Sequence, residues 1–233
     1  MSKNLPTQLT LGVQLRDEAN FANYFANEAN QALVNSLSQE PANTHLIYLW
    51  GSSASGKTHL AQAFCSQQAE AGRGVLYLPL QDRESFDPGM LQGTNSLSMV
   101  CLDDIESIAG DAKWEDAVFH LYNHLQESDT QLLVTASSSP QDLTLQLADL
   151  HSRLQSGLTF QISDMSDAEK SSMLMLRATN RGMVLNQQIA DYIVQRADRN
   201  LDQLIAVLDR LDSESLQQGR KLTIPLVKEV MGW

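Results

Sequence analysis

The chain has 233 residues with 42% hydrophobic content, enough for one α/β domain plus a small appendage and an ordinary buried core. Its 28 acidic residues against 16 Lys and Arg give a formal charge of −12, which repels a phosphate backbone and argues against direct, general DNA binding. The opening residues hold no apolar signal core, no stretch of about eighteen apolar residues occurs, and Cys65 and Cys101 sit inside apolar runs; the expectation is a reduced, cytoplasmic chain, neither secreted nor membrane-spanning.

The first sixteen or so residues are too short and irregular to form an element. They include Gln8, Leu9, Thr10 and Leu11, where an exposed Gln followed by alternating Leu has the form of a peptide ligand; a short edge strand pairing with its own domain fits the same residues equally. Residues 21–25 (Phe21, Ala22, Asn23, Tyr24, Phe25) and a polar, helix-like segment at 27–38 lead to a boundary at Pro41. The apolar run 45–50 then reads as a first strand, and Leu60, Ala63 and Phe64 recur at helical spacing just beyond it.

Between that strand and that helix lie Gly51, Ser52, Ser53, Ala54, Ser55, Gly56, Lys57 and Thr58, which fill every fixed position of the phosphate-cradling pattern G-x-x-x-x-G-K-[ST]. Such a loop turns successive backbone N–H groups around a β-phosphate at the positive end of a helix dipole. Lys57 is expected to meet the β and γ oxygens, and the Thr58 hydroxyl to hold Mg²⁺.

Residues 70–74 stop that helix, 75–80 read as a second strand, and a polar connection with Pro88, Gly89 and Gly93 follows. The run 98–104 ends in Asp103 and Asp104, as a buried parallel strand delivering acids at its carboxyl end would. Acidic caps on a helix starting at Ile105 are the other reading; the alternating β/α pattern downstream of a phosphate loop favours the first. Asp103 would then hold Mg²⁺ through its water shell and Asp104 would polarise the attacking water.

Residues 114–127 carry an apolar stripe of Trp114, Val118, Leu121, Tyr122 and Leu125. His120 and His124 lie four apart on the same helix, where without a third ligand they read as polar-face residues. Residues 130–136 form the next strand, whose polar end at 135–139 either faces a γ-phosphate or is a plain exit to a turn. Arg153, in the segment 149–154 before a fifth strand at 157–162, reads on its own as a surface ion-pair residue. From residue 164 the pattern is helix after helix, at 166–181, 186–197, 200–218 and 224–230. Ser166 and Glu169 make a capping box, Gly182 and Gly219 are stops, and Thr223 with Pro225 is a start.

Five parallel strands with a phosphate loop after the first, acids ending the third and a carboxyl-terminal helical lid describe an AAA+ module of the α/β class. Residues 49–60, 100–106, 150–154 with 157–159, and 21–25 with Asn30 resemble, in turn, the phosphate loop, acidic strand, arginine-finger segment and adenine-side segment of the bacterial replication initiator DnaA. The resemblance spans roughly residues 21–233, with no DNA-binding domain expected after it. Residues 8–11 resemble the short motif that docks on the β sliding clamp of DNA polymerase III. The combination is similar to the DnaA-homologous AAA+ regulators.

That resemblance implies three parts: a flexible tail with the clamp motif at 1–20, a nucleotide-binding core at 21–163, and a helical lid at 164–233. It implies adenine nucleotide bound by Gly51 through His59 with Phe21 and Tyr24, ADP favoured over ATP, and Mg²⁺ at Thr58 and Asp103. It implies Arg153 acting in trans, as an arginine finger, on ATP bound to DnaA, with Asp104 as the second catalytic residue. The function implied is negative regulation of replication initiation, with DNA reached only through the clamp, weak or no ATPase activity of its own, and a capacity for self-association. Two positions depart from the family pattern: residues 135–139 lack its acid and basic residue, and Asp202 stands where its lid carries a nucleotide-contacting arginine, with Arg196 and Arg199 nearby. The competing reading is an autonomous AAA+ ATPase such as a helicase loader.

Overall fold

The computed structural model describes residues 19–39, 44–128 and 130–233. Five parallel strands form one sheet: β1 (Leu46–Trp50), β2 (Val75–Pro79), β3 (Met99–Asp103), β4 (Gln131–Ala136) and β5 (Leu158–Gln161), in the spatial order β2-β3-β4-β1-β5. Each inner strand is covered on both faces, which is why its sequence reads as a continuous apolar run instead of an alternating one. The pleat sorts those residues: Leu46 and Tyr48 of β1 join Leu76, Leu78, Val100, Leu102, Leu132 and Val134 on one side. Ile47, Leu49, Tyr77, Met99, Cys101 and Leu133 face the other.

Helices supply the two covers. α1 (Gln31–Ser38) and α2 (Lys57–Glu70) bring Leu33, Leu37, Leu60, Phe64 and Cys65 to the second face. α3 (Ala112–Gln126) brings the predicted stripe Trp114, Val118, Leu121, Tyr122 and Leu125 to the first. The segment read as a polar connection folds into 3₁₀ turns, Leu80–Ser85 and Pro88–Ser96, capped by the Asp87 carboxylate, which accepts from Gly89 N at 2.7 Å. Where the other reading put a helix from Ile105 there is a single 3₁₀ turn, Ile105–Ile108, whose two isoleucines are buried.

A short helix, α4 (Ala148–Leu154), precedes β5. Its entry is fixed by Glu115, a carboxylate on α3 that is only 1% exposed. Glu115 Oε1 accepts from Gly110 N at 2.8 Å and Gln146 N at 3.2 Å, and Oε2 accepts from Leu147 N at 2.7 Å. A buried carboxylate is tolerable only with such partners.

The lid is α5 (Asp167–Asn180), α6 (Gln187–Arg196), α7 (Leu201–Gln218) and α8 (Ile224–Met231), packed around their own core of residues such as Leu174, Ile193, Leu208 and Leu226. The expected capping box is present: Ser166 N donates to Glu169 Oε2 at 2.7 Å and Glu169 N to Ser166 Oγ at 3.3 Å. The Ser166 hydroxyl, donating to Glu169 Oε2 at 2.7 Å, and then the Ser166 N–H hold the Glu169 carboxyl below its usual value. Residues 19–30 run between core and lid. Tyr24 is buried in the sheet cluster, its neighbour Phe25 packs on the lid cluster, and Asn30 exchanges two bonds with the backbone of Ser163, at 2.9 and 3.1 Å.

Replacing Glu115 with Ala strands three backbone donors around the entry to α4. Urea unfolding is expected to show a loss on the order of 3 kcal/mol, against less than about 1 kcal/mol for Ala at its exposed neighbour Asp116.

Candidate functional site

The phosphate loop lies between β1 and α2, and its glycines answer to specific crowding. A Cβ on Gly51 would sit 2.8 Å from Ser55 Oγ and 2.9 Å from the Ile162 carbonyl. Gly56 has φ +95°, and a Cβ there would come within 3.1 Å of the Tyr24 ring. Ala54 shares the left-handed region at φ 57°, a conformation that costs a side-chain-bearing residue energy. α2 begins at Lys57 with no side-chain cap, so its first-turn N–H groups point at the loop without a competing acceptor from the N-cap. Lys57 Nζ donates to the carbonyls of Gly51 at 3.1 Å and Ser52 at 2.8 Å, which aims the ammonium across the loop. The Ser52 hydroxyl donates to Asp164 at the lid junction.

Asp103, 3% exposed at the end of β3, is the hub of the site. Its Oδ2 accepts from Thr58 Oγ1 at 2.9 Å and from the Tyr77 hydroxyl at 2.6 Å, and its Oδ1 from Thr135 Oγ1 at 2.5 Å. Burial, followed by the Asp103 charge, pushes the Tyr77 phenol up, so it remains a donor. Thr135 also accepts from Asp104 N at 2.8 Å. The polar end of β4 is thus turned toward the acidic pair, and Ser137 reaches the cleft, its backbone N donating to Glu106 Oε1 at 2.9 Å. Asp104 occupies the left-handed region at φ 60° and accepts from Gln81 Nε2 at 2.7 Å. Burial first, then the charges of Asp103 and Glu106, push its carboxyl up to about 6.

A cleft of about 870 Å³ opens above the loop, with residues 53–59, Asp103, Asp104 and Tyr24 on the core side and Met165, Met173, Arg177, Asp202 and Asp209 on the lid side. Two buried hydroxyls there, Ser55 Oγ and Tyr24 OH, have no hydrogen-bond partner. Burial raises the Tyr24 phenol, keeping it neutral. Orphaned donors beside an uncapped helix start and a lysine fit a phosphorylated ligand. The joined Thr58 hydroxyl and Asp103 carboxylate are the oxygen donors that a magnesium ion takes.

Several predicted residues lie elsewhere. Phe21 does not line the cleft; it is half-buried against the sheet cluster that also holds Tyr24. Arg153 is exposed on α4, outside the cleft, with its guanidinium 5.7 Å from the centroid of the Tyr122 ring. Arg196 lies over the Tyr192 ring and Arg199 is 3.5 Å from Asp167, and neither lines the cleft beside Asp202. His120 is 3.5 Å from Asp116 on the outer side of α3, and among the described residues no group of three or more His, Cys, Asp or Glu is placed to hold a metal. Gln8, Leu9, Thr10 and Leu11 fall outside the described residues.

One lid residue was missed in the sequence. Arg177 on α5 lines the cleft, and its Nη2 is 3.0 Å from Nδ1 of His59, the residue after Thr58. The available signal was its place four residues after buried Met173, on the inward stripe of an amphipathic helix where an arginine is unusual.

The family model described as bacterial DnaA ATPase domain matches residues 17–161, and the one described as Hda, lid domain, matches residues 167–231. Domain III of the Thermotoga maritima replication initiation protein DnaA superposes with a TM-score of 0.80 at 18% identity, covering 94% of this chain and 98% of that one. DnaA from Aquifex aeolicus bound to AMPPCP gives 0.73 at 19%, over 88% of this chain and 68% of that one. The Thermotoga maritima RuvB Holliday junction branch migration motor gives 0.66 at 16%, over 91% and 73%. At these identities the solved structures establish a shared AAA+ fold.

The raised Asp104 carboxyl has a stability consequence. Its folded value, about 6, lies above its ordinary 3.8, so the native state binds the proton more tightly than the unfolded chain. Ionised Asp104 therefore costs stability above about pH 6, and that cost is relieved as pH falls from about 6 toward 4. The Tm of the wild type relative to Asp104→Asn is expected to rise between pH 7 and 5; a difference independent of pH would contradict the assignment.

Proposed function

The chain belongs to the bacterial DnaA ATPase-domain family and carries an Hda-type lid, and from that premise we propose that it is a negative regulator of replication initiation that promotes hydrolysis of ATP held by DnaA. The observation that carries this reading is the position of Arg153: exposed at the end of α4, outside the chain's own cleft, and stacked on Tyr122. A guanidinium so placed is accessible to a phosphate on another molecule and not to one in its own cleft. Inserted beside a transferring γ-phosphoryl group it stabilises the developing charge, an effect worth about 10³ to 10⁵ in rate, and its planar fork matches two phosphate oxygens where a lysine would offer a point charge. Ser156 Oγ donates to the Arg153 carbonyl at 2.7 Å and so accepts from the Tyr122 hydroxyl at 3.1 Å, which ties the finger's helix end to α3.

In this reading the chain's own cleft binds adenine nucleotide as a conformational ligand that orders lid against core. Gly51 through His59 cradle the phosphates and Tyr24 closes the side nearest residues 19–25. Thr58 and Asp103 are the residues that would hold Mg²⁺, which when bound neutralises phosphate charge. Asp202 on the lid and the part-buried Asp104 both face the cleft, so a diphosphate meets less repulsion there than a triphosphate, in line with ADP as the favoured ligand and weak hydrolysis in cis. Residues 8–11 would dock on the β sliding clamp, so that DNA is reached only through the clamp. The protein would work in the cytoplasm, and an arginine finger used in trans makes self-association a natural property of the chain.

The test is turnover of radiolabelled ATP pre-bound to DnaA with DNA-loaded clamp present. Wild type is expected to accelerate hydrolysis, Arg153→Ala to lose about 10³-fold of that acceleration while still binding nucleotide and clamp, and removal of residues 1–12 to abolish clamp binding. If neither protein accelerates DnaA's hydrolysis while the wild type turns over free ATP alone, the chain is instead an autonomous ATPase of the helicase-loader type.

A further inference from the structure

We infer that Arg177, on the first lid helix, is the lid's contact to the phosphates of a nucleoside diphosphate in the cleft, with His59 as its positioning residue. The inference rests on the nucleotide reading of the cleft given above.

Charge leads to it. A diphosphate must be matched by cations, yet the core wall carries Asp103, Asp104 and Glu106, and the lid wall carries Asp202 and Asp209. Among the described lining residues the permanently charged cations are Lys57 from below and Arg177 from the lid. Asp209 is neutralised by Arg181, 2.5 Å away, which lowers the acidity of the lid wall around Arg177. Asp202 repels phosphate, and the arginines nearest to it in sequence are engaged outside the cleft. Arg177 is the lid residue with the charge and the planar donor fork that phosphate oxygens require.

Geometry brings it to the right place. Its Nη2 stands 3.0 Å from His59 Nδ1, on the first turn of α2 where Lys57 and Thr58 also sit. His59 Nε2 is 3.0 Å from the Asn20 carbonyl. That carbonyl only accepts, so Nε2 carries the proton; the guanidinium only donates, so Nδ1 accepts from Arg177. The imidazole, its ring centroid 5.7 Å from that of Tyr24, therefore joins the segment before α1, the phosphate-loop helix and the lid. A ligand phosphate engaged by Arg177 would be held from core and lid at once, and nucleotide binding would set the lid angle through this arginine.

The experiment is calorimetric titration of the full chain with ADP and, separately, adenosine, for wild type, Arg177→Ala, Arg177→Gln, Arg177→Lys, His59→Ala and the exposed control Arg199→Ala. Removing a charged hydrogen bond to phosphate is expected to weaken ADP about 10- to 100-fold in Arg177→Ala and Arg177→Gln while leaving adenosine unchanged. Arg177→Lys should recover part of the loss, His59→Ala should show a smaller loss, again confined to ADP, and Arg199→Ala should match wild type. Equal weakening of ADP and adenosine, or unchanged ADP binding in Arg177→Ala, overturns the inference and leaves the nucleotide reading standing. Failure of the wild type to bind ADP sinks the nucleotide reading itself.

Discussion

A carboxylate buried at the end of a central strand must be saturated with donors or it destabilises the fold, and the way Asp103 is saturated organises the site. Its three bonds come from Thr58 at the start of α2, Tyr77 on β2 and Thr135 on β4. Loop, neighbouring strands and acidic pair are thereby locked in one register, because moving any of them strands a charge in a medium where an unpaired ion costs several kcal/mol. Thr135 extends the lock to Asp104 through its backbone N, helping to hold that residue in a backbone conformation that non-glycine residues rarely adopt. The raised proton affinity of Asp104 follows first from its burial and then from the charges of Asp103 and Glu106 beside it.

The lid answers a different constraint. Its helices bury their own apolar cluster, and among the described residues it meets the rest of the chain through Phe25 of the segment 19–30 and through polar ties: Ser52 to Asp164, Asn180 to Asn23 at 2.6 Å, and Arg177 to His59. Polar ties of this kind exchange easily with ligand or water, whereas a shared apolar core would weld the two parts. A lid so attached can respond to what the cleft holds.

How far the sequence could be read depended on whether the signal was local. The phosphate loop, the five apolar runs and the capping box at Ser166 are contiguous patterns, and each strand or helix came out within a few residues of its expected place. Residues 80–98 were less legible, because 3₁₀ turns carry weak periodicity, and the helix that the other reading started at Ile105 is one turn long. In the site, Asp103 and Thr58 were legible from pattern, but their joining with Tyr77 and Thr135 was not, since those positions meet only when β2 and β4 flank β3. Phe21, placed beside the nucleotide by resemblance, packs against the apolar cluster between the sheet, α1 and α2 instead of lining the cleft. Arg177 left only the trace of an arginine on the inward stripe of α5, and its meeting with His59, across 118 residues of chain, could not be read from spacing.

The contact between Arg153 and Tyr122 has a further meaning when set beside the buried carboxylate that fixes the start of the same helix. An exposed arginine ordinarily samples many rotamers, and freezing it on association removes about 2 kcal/mol of side-chain entropy from the affinity. Here the ring narrows that sampling, and Glu115 fixes the entry of α4 from inside α3. For an arginine proposed to reach a partner's phosphate, the Tyr122 contact would leave fewer conformers to order on docking.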